Sequence, residues 1–353
     1  MTSYDEDTDP IALTPGRTSP DEAPVAAVEL VSPDSATQSG IAPGVSTSSE
    51  EGTVGVPPTR DQGFSESDDG LVTYGPSARL GPVPHRIAAQ PPRALEHVPD
   101  IAMDWLEVGE PNGGIAVRAV SARGHMHRYL GEIRQDSFAI GVTPEAVVVA
   151  VADGVGSSSG SHLGSALAAR GIANDWELIE EIIGGVKTGE TSFGKIAVRL
   201  THEAKNSSFT PRDVSTTLIV AIVRRAPEGD GTREVVLAQI GDSDAWRKTD
   251  NGWTSLGHGD DPNSGSAVLS TVVDPLPEHP TARVWRESFA PGETLALVSD
   301  GIGNILRLQP SYAHDLAELW RRGAPSPASL LKVVDATVKA FDDDRTFVGV
   351  RFP

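Results

Sequence analysis

The run Ala146-Val147-Val148-Val149-Ala150-Val151-Ala152 closes abruptly on Asp153-Gly154, and this pattern most restricts what the chain can fold into. An unbroken apolar segment of strand length, rich in β-branched residues, reads as a strand buried on both faces. It delivers a carboxylate to the edge of its own core, and the glycine permits a sharp exit. The pattern returns at Thr294-Leu295-Ala296-Leu297-Val298, followed by Ser299-Asp300-Gly301. Further acids stand at strand ends: Asp136, Asp242 and the pair Asp343-Asp344. Singly, each is ordinary turn chemistry. Together, carboxylates gathered at one sheet edge repel unless a divalent cation neutralises them, so convergence would mean metal.

Around these acids the spacing predicts strands over 115–122, 136–142 and 146–152, the last two joined by the turn Thr143-Pro144-Glu145. Such short links imply antiparallel pairing. Helices are expected over 162–173, 177–183 and 193–205, then strands over 214–223, 234–240, 245–248, 283–289 and 294–298. Helices over 312–321 and 328–340 and a strand over 345–352 end the chain. Strands and helices in blocks indicate an α+β layered domain, not alternating βαβ units.

The residues before this pattern differ in kind. Residues 1–112 are rich in Pro, Ser, Thr, Asp and Glu with almost no apolar periodicity, which predicts a disordered acidic tail ahead of one folded domain at 113–353. Within the tail, 101–108 could form a short docking segment. Net charge is −20 with no basic cluster, which argues against nucleic acid as a main partner. With no cysteine in the chain, disulfides, thiolate zinc sites and a thiol nucleophile are excluded. A site built of Asp favours hard ions, Mg²⁺ or Mn²⁺. No basic and apolar leader opens the sequence and no apolar run reaches the ~18 residues of a membrane span, so no membrane partner and a cytoplasmic location are expected.

Six blocks in order resemble the metal-dependent protein serine/threonine phosphatases of the PPM, or type 2C, group, bacterial branch. They are Ser121-Ala122-Arg123-Gly124-His125-Met126-His127 with Gln135-Asp136-Ser137-Phe138; Val151-Ala152-Asp153-Gly154-Val155-Gly156; Ser215-Thr216-Thr217-Leu218; Ile240-Gly241-Asp242-Ser243; Val298-Ser299-Asp300-Gly301; and Asp343-Asp344-Arg345-Thr346. The resemblance implies a four-layer α-β-β-α sandwich of two antiparallel sheets with two Mn²⁺ or Mg²⁺ ions at its edge. By position, Asp153 would bridge both ions and Gly154 would offer its carbonyl. Asp300 and Asp343 would complete one ion, and Asp136 would act on the other. A water bridging the ions would attack phosphoserine or phosphothreonine of a protein substrate, opposing a Ser/Thr kinase.

Departures from the family's pattern bear on the catalytic residues. Gln135 replaces a Glu, and Gly131 falls where a phosphate-gripping Arg is expected, leaving Arg134, Arg128 or Arg123 as substitutes, with Arg134 the catalytic candidate beside Asp136 and Asp153. Val155 replaces a histidine, so leaving-group protonation would fall to water or to a residue such as His127. Asp244 stands where Arg is common, and Asp213 is a candidate ligand for a possible third ion. These departures keep open an alternative, a catalytically inactive phosphatase fold serving as a regulatory or binding module. Other motif fragments carry less. Gly156-Ser157-Ser158-Ser159-Gly160 fits G-x-S-x-G but follows the strand too late for a serine-hydrolase elbow. Residues 189–195 lack the Ser/Thr of a phosphate loop, and His202-Glu203 lacks the second zinc histidine, with Asn206 in its place.

Overall fold

The computed structural model describes residues 64–66, 72–74, 98–109, 114–155, 158–185, 189–257 and 274–353. Two short strands, β1 (Phe64–Glu66) and β2 (Val72–Tyr74), precede β3 (Ile101–Val108), β4 (Ile115–Ala122), α1 (His125–Leu130), β5 (Ser137–Val142) and β6 (Ala146–Ala152). Then come α2 (Ser161–Ala173), α3 (Trp176–Gly185), β7 (Glu190–Ser192), α4 (Gly194–Asn206), β8 (Leu218–Arg224), β9 (Arg233–Ile240), β10 (Asp244–Thr249) and β11 (Gly252–Ser255). The chain ends with β12 (Thr281–Phe289), β13 (Thr294–Val298), α5 (Asp300–Leu308), α6 (Pro310–Leu319), α7 (Pro327–Val334), β14 (Thr337–Val338) and β15 (Arg345–Arg351).

Two six-stranded antiparallel sheets result, one ordered β11-β10-β13-β15-β4-β3 and the other β5-β6-β8-β9-β12-β7. The alternation of side chains along β6 shows why its sequence has no polar residue. Val147, Val149 and Val151 point between the sheets and meet Val117, Ile219, Leu237, Leu297 and Val348. Ala146, Val148, Ala150 and Ala152 point the other way, into a second core with Ala168, Ile172, Ile179 and Leu200 from α2, α3 and α4. A third core puts Ile302, Ile305, Tyr312, Leu316 and Leu330 of α5, α6 and α7 against the outer face of the first sheet. Helices therefore cover both sheets, the α-β-β-α layering expected, and each fully buried Val or Leu contributes roughly 1.5–3 kcal/mol relative to exposure.

Several boundaries moved for local reasons. β3 pairs along its whole length with β4, from Ile101↔Ala122 to Val108↔Ile115, so the sheet begins inside the range assigned to the tail. Leu106 and Val108 pack on the inter-sheet core while Ile101, Met103 and Trp105 stay exposed, which left no continuous apolar run to mark it. The strand expected from 214 starts at Leu218, because Pro211–Val214 forms a 3-10 turn. The last helix stops at Val334, short of 340, where Arg345 takes the carbonyls of Val334, Ala336 and Phe341. Residues 1–63, 67–71, 75–97 and 110–113 of the tail range and the start of the domain, and Gly156-Ser157 of the G-x-S-x-G fragment, lie outside the described residues. Among the described residues, no helix is long and apolar enough to cross a membrane.

Candidate active site

β6 ends on Asp153 in one sheet, and β13 and the start of β15, neighbours in the other, bring Asp300 and Asp343 to the same edge. There a cleft of about 160 Å³ is lined by Asp153, Gly154, Asp242, Asp300, Asp343 and Asp344, with His127, Gln135, Val155 and Thr217. The chain is stitched together here. Thr217 N–H and the Thr216 hydroxyl both donate to the Asp153 carbonyl, at 2.8 and 2.9 Å, and Asp153 N–H donates to Thr217 Oγ1 at 3.1 Å. Thr217 Oγ1 lies 2.7 Å from Ser243 Oγ, which ties in the Gly-Asp-Ser turn. On the other sheet Thr346 N–H donates to Ser299 Oγ at 3.0 Å, locking Asp300 beside the last strand.

Both Asp-Gly glycines have a reason other than the sharp turn expected of them, since neither has a positive φ. A Cβ on Gly301 would stand 2.0 Å from the Asp344 carbonyl, and one on Gly154 would stand 2.8 Å from Ser161 Cβ and 3.0 Å from the Gln135 carbonyl. Backbones approach too closely for any side chain.

The acids of the cleft divide electrostatically. Burial raises Asp153 well above the ordinary carboxylate range, and the neighbouring Asp136, Asp300 and Asp343 add to it. Burial and Asp344 push Asp136 to about 7, and burial with Asp343 and Asp242 pushes Asp300 to about 6. Burial raises Asp343 and Asp242 as well. Asp344 goes the opposite way. Burial opposes its charge, but His127, with Nδ1 2.9 Å from Oδ1, and the N–H groups of Gly124 and Gln135 at 2.6 and 2.5 Å outweigh that and hold it low. His127, which burial alone would lower, is raised by Asp344, Asp343 and Glu132 to about 9.

Asp136 lies beneath the cleft, almost fully buried. Oδ2 accepts from Thr346 Oγ1 at 2.8 Å, while Oδ1 is buried without a hydrogen-bond partner in the protein. A buried oxygen of this kind, beside carboxylates that repel one another, fits a hard divalent cation. The donor set is all oxygen, although among the described residues no three such side chains already stand at ligand spacing.

Of the residues named from sequence, Asp153, Gly154, Asp300 and Asp343 line the cleft and Asp136 adjoins it. Arg134 does not. It is buried, donating to the Pro99 carbonyl at 3.1 Å, to Ser121 Oγ at 2.7 Å and to the Asp136 carbonyl, so its charge is spent holding loops together. Arg123 bonds Asp100 and the His127 carbonyl, and Arg128 pairs with Asp335 at 2.9 Å. Asp213 caps its own 3-10 turn by accepting from Thr210 N–H at 2.8 Å and does not line the cleft. In the phosphate-loop fragment, Lys195 pairs with Glu177 and Glu181 on the surface. Asp242, named from sequence among the strand-end acids but given no ligand position, lines the cleft, and so does Thr217, which sequence reading placed in a block but gave no role.

A sequence model described as protein phosphatase 2C matches residues 123–335, more than half of the chain. The chain belongs to the protein phosphatase 2C family. No curated protein matches it closely in sequence. Among solved structures similar to this 2C-family chain are the serine/threonine phosphatase Stp1 from Staphylococcus aureus, with 14% identity, TM-score 0.47, and coverage of 67% of this chain and 94% of that one. PppA, described as a regulatory component of T6SS in Pseudomonas aeruginosa, gives 18% identity, TM-score 0.47 and coverage of 68% and 98%. The Mycobacterium tuberculosis serine/threonine phosphatase PstP/Ppp gives 16%, 0.45, 67% and 98%.

Proposed function

We propose that the chain hydrolyses phosphoserine or phosphothreonine in proteins, with two Mn²⁺ or Mg²⁺ ions held chiefly by Asp153, Asp300, Asp343 and Asp136. The observation that carries this reading is the gathering of acids from two sheets in one cleft of a 2C-family fold. When bound, the ions supply a water activated as nucleophile and positive charge for the phosphoryl group. The protein's share is positional. Thr216 and Thr217 fix the backbone of Asp153, and Ser299 and Thr346 fix Asp300 and the buried Asp136. His127, with Nδ1 2.9 Å from Asp344 and Nε2 3.6 Å from Glu132, lines the cleft and is the candidate to give a proton to the serine or threonine oxygen as the bond to phosphorus breaks. The substrate is a phosphorylated protein, supplied by an opposing kinase, in the cytoplasm, and the residues ahead of β3, β2 with its pairing to β14 included, are dispensable for chemistry.

The test is Mn²⁺-dependent hydrolysis of p-nitrophenyl phosphate and of a phosphothreonine peptide by the full chain. Turnover that chelation abolishes supports the reading. Metal binding without turnover would make the fold a binding module.

A further inference from the structure

α5 begins with Asp300 in the cleft, and Gly303 and Arg307 follow on the same face at i+3 and i+7. Long helical side chains lean toward the N-terminus, and Arg307 does so: a Cβ on Gly303 would stand 3.2 Å from its Nη1. The guanidinium therefore lies one turn from Asp300. Two contacts fix it there. Nη2 donates to Asp244 Oδ2 at 2.6 Å, and the group lies 5.3 Å from the centre of the Trp246 ring. Asp244 is itself held, accepting from Ala245 N–H and Ser255 Oγ, each at 2.8 Å. Among the described residues nothing else bonds the guanidinium, and the side chain keeps 34% of its surface exposed.

The charge around this group is lopsided. Five aspartates line the cleft, and the lone cation among its lining residues, His127, is committed to Asp344. Arg123, Arg128 and Arg134 are occupied elsewhere. Arg307 lies close enough to Asp242 on the cleft wall to favour its charged form. A planar guanidinium held in place by Asp244 and Trp246, with donors on Nη1 and Nε that no described residue takes, suits recognition of an oxyanion.

Building on the phosphatase reading, we propose that Arg307 is a specificity-determining residue whose Nη1 N–H donors, on the side toward Asp300, bind an oxyanion of the substrate at the mouth of the cleft. The oxyanion is the carboxylate or second phosphate of a residue flanking the phosphorylated one. Asp244, where the family commonly carries Arg, orients it.

The experiment compares kcat and KM, with Mn²⁺, for p-nitrophenyl phosphate, a phosphothreonine peptide with alanine flanks and one with aspartate flanks. It uses the wild-type chain, R307K and the double variant D244N/R307Q, which leaves no unpaired buried carboxylate. In the double variant the preference for the aspartate-flanked peptide over the alanine-flanked one falls about tenfold, ~1.4 kcal/mol, through KM, and R307K keeps part of it. A KM raised equally for all three substrates overturns the flanking-residue role and moves the contact to the scissile phosphoryl group. A folded double variant with unchanged preference and unchanged KM overturns the proposal and leaves Arg307 as a counter-charge to Asp244. A wild-type chain that hydrolyses none of the three overturns the phosphatase reading, and the role of Arg307 with it.

Discussion

Asp153 and Asp344 share a cleft wall, yet one resists ionisation and the other is held ionised. The difference is partners: Asp344 has two N–H donors and an imidazolium, whereas Asp153 has other carboxylates. Asp153→Asn removes one of the repelling charges while keeping the shape. It should reduce turnover by at least ~10³-fold, as expected when transition-state charge stabilisation is lost, and leave the metal-free melting temperature equal or higher. Calorimetry alongside kinetics checks both. Arg134→Ala should act in the opposite sense. It removes the buried donor to the Pro99 and Asp136 carbonyls and to Ser121 Oγ, which keeps Thr346 Oγ1 as a partner, and should cost about 2–4 kcal/mol, read by denaturant melts, with KM of the folded fraction unchanged. The raised acids also set a pH dependence. Asp300 at about 6 and Asp136 at about 7 favour protonation in the folded chain, so their contribution to stability is full below the unfolded carboxylate range and lost as pH rises through 6 to 7. Cations compete with those protons. The rise in melting temperature on adding Mn²⁺ should therefore be larger at pH 8 than at pH 5.5.

At the scale of the element, the approach of α5 to the loop before β15 is set by Gly301, whose missing Cβ leaves room for the Asp344 carbonyl. Gly301→Ala should push Asp300 out of register, weakening Mn²⁺ binding and costing roughly 1–3 kcal/mol as overpacking does; titration calorimetry and melts report the two effects separately. What the sequence made legible follows the same physics. β6 and β13 were plain because both faces of each are buried, which forbids polar residues along them. β3 was obscure because one face stays exposed, and α1 and β7 because six and three residues carry too little periodicity. Within the site, acids at the ends of buried strands could be named in advance. The idle state of Arg134 could not, because its partners Pro99, Ser121 and the Asp136 carbonyl meet it only in three dimensions.

For the whole molecule, the two sheets each bring acids to one edge, where burial first and neighbouring carboxylates second raise Asp153, Asp136, Asp300 and Asp343 above the ordinary carboxylate range. The net charge of −20 adds to the repulsion of an anionic substrate, so under the proposed reading Mn²⁺ should lower KM for a phosphopeptide as well as raise kcat, which kinetics across a Mn²⁺ series checks. Deleting residues 1–97 removes β1 and β2, the latter paired in parallel with the two-residue β14, and should leave turnover of p-nitrophenyl phosphate within a few-fold, whereas deleting 1–109 also strips the eight-residue β3 from β4 and should lower the melting temperature by several degrees. The central claim is that Asp153, Asp300 and Asp343 close around a cation pair, and anomalous diffraction from crystals grown with Mn²⁺ addresses it most directly. Two anomalous peaks among these three side chains, each ~2.0–2.6 Å from carboxylate oxygens, are the expected result. Crystals with Mn²⁺ bound elsewhere and none between these three aspartates would contradict the account.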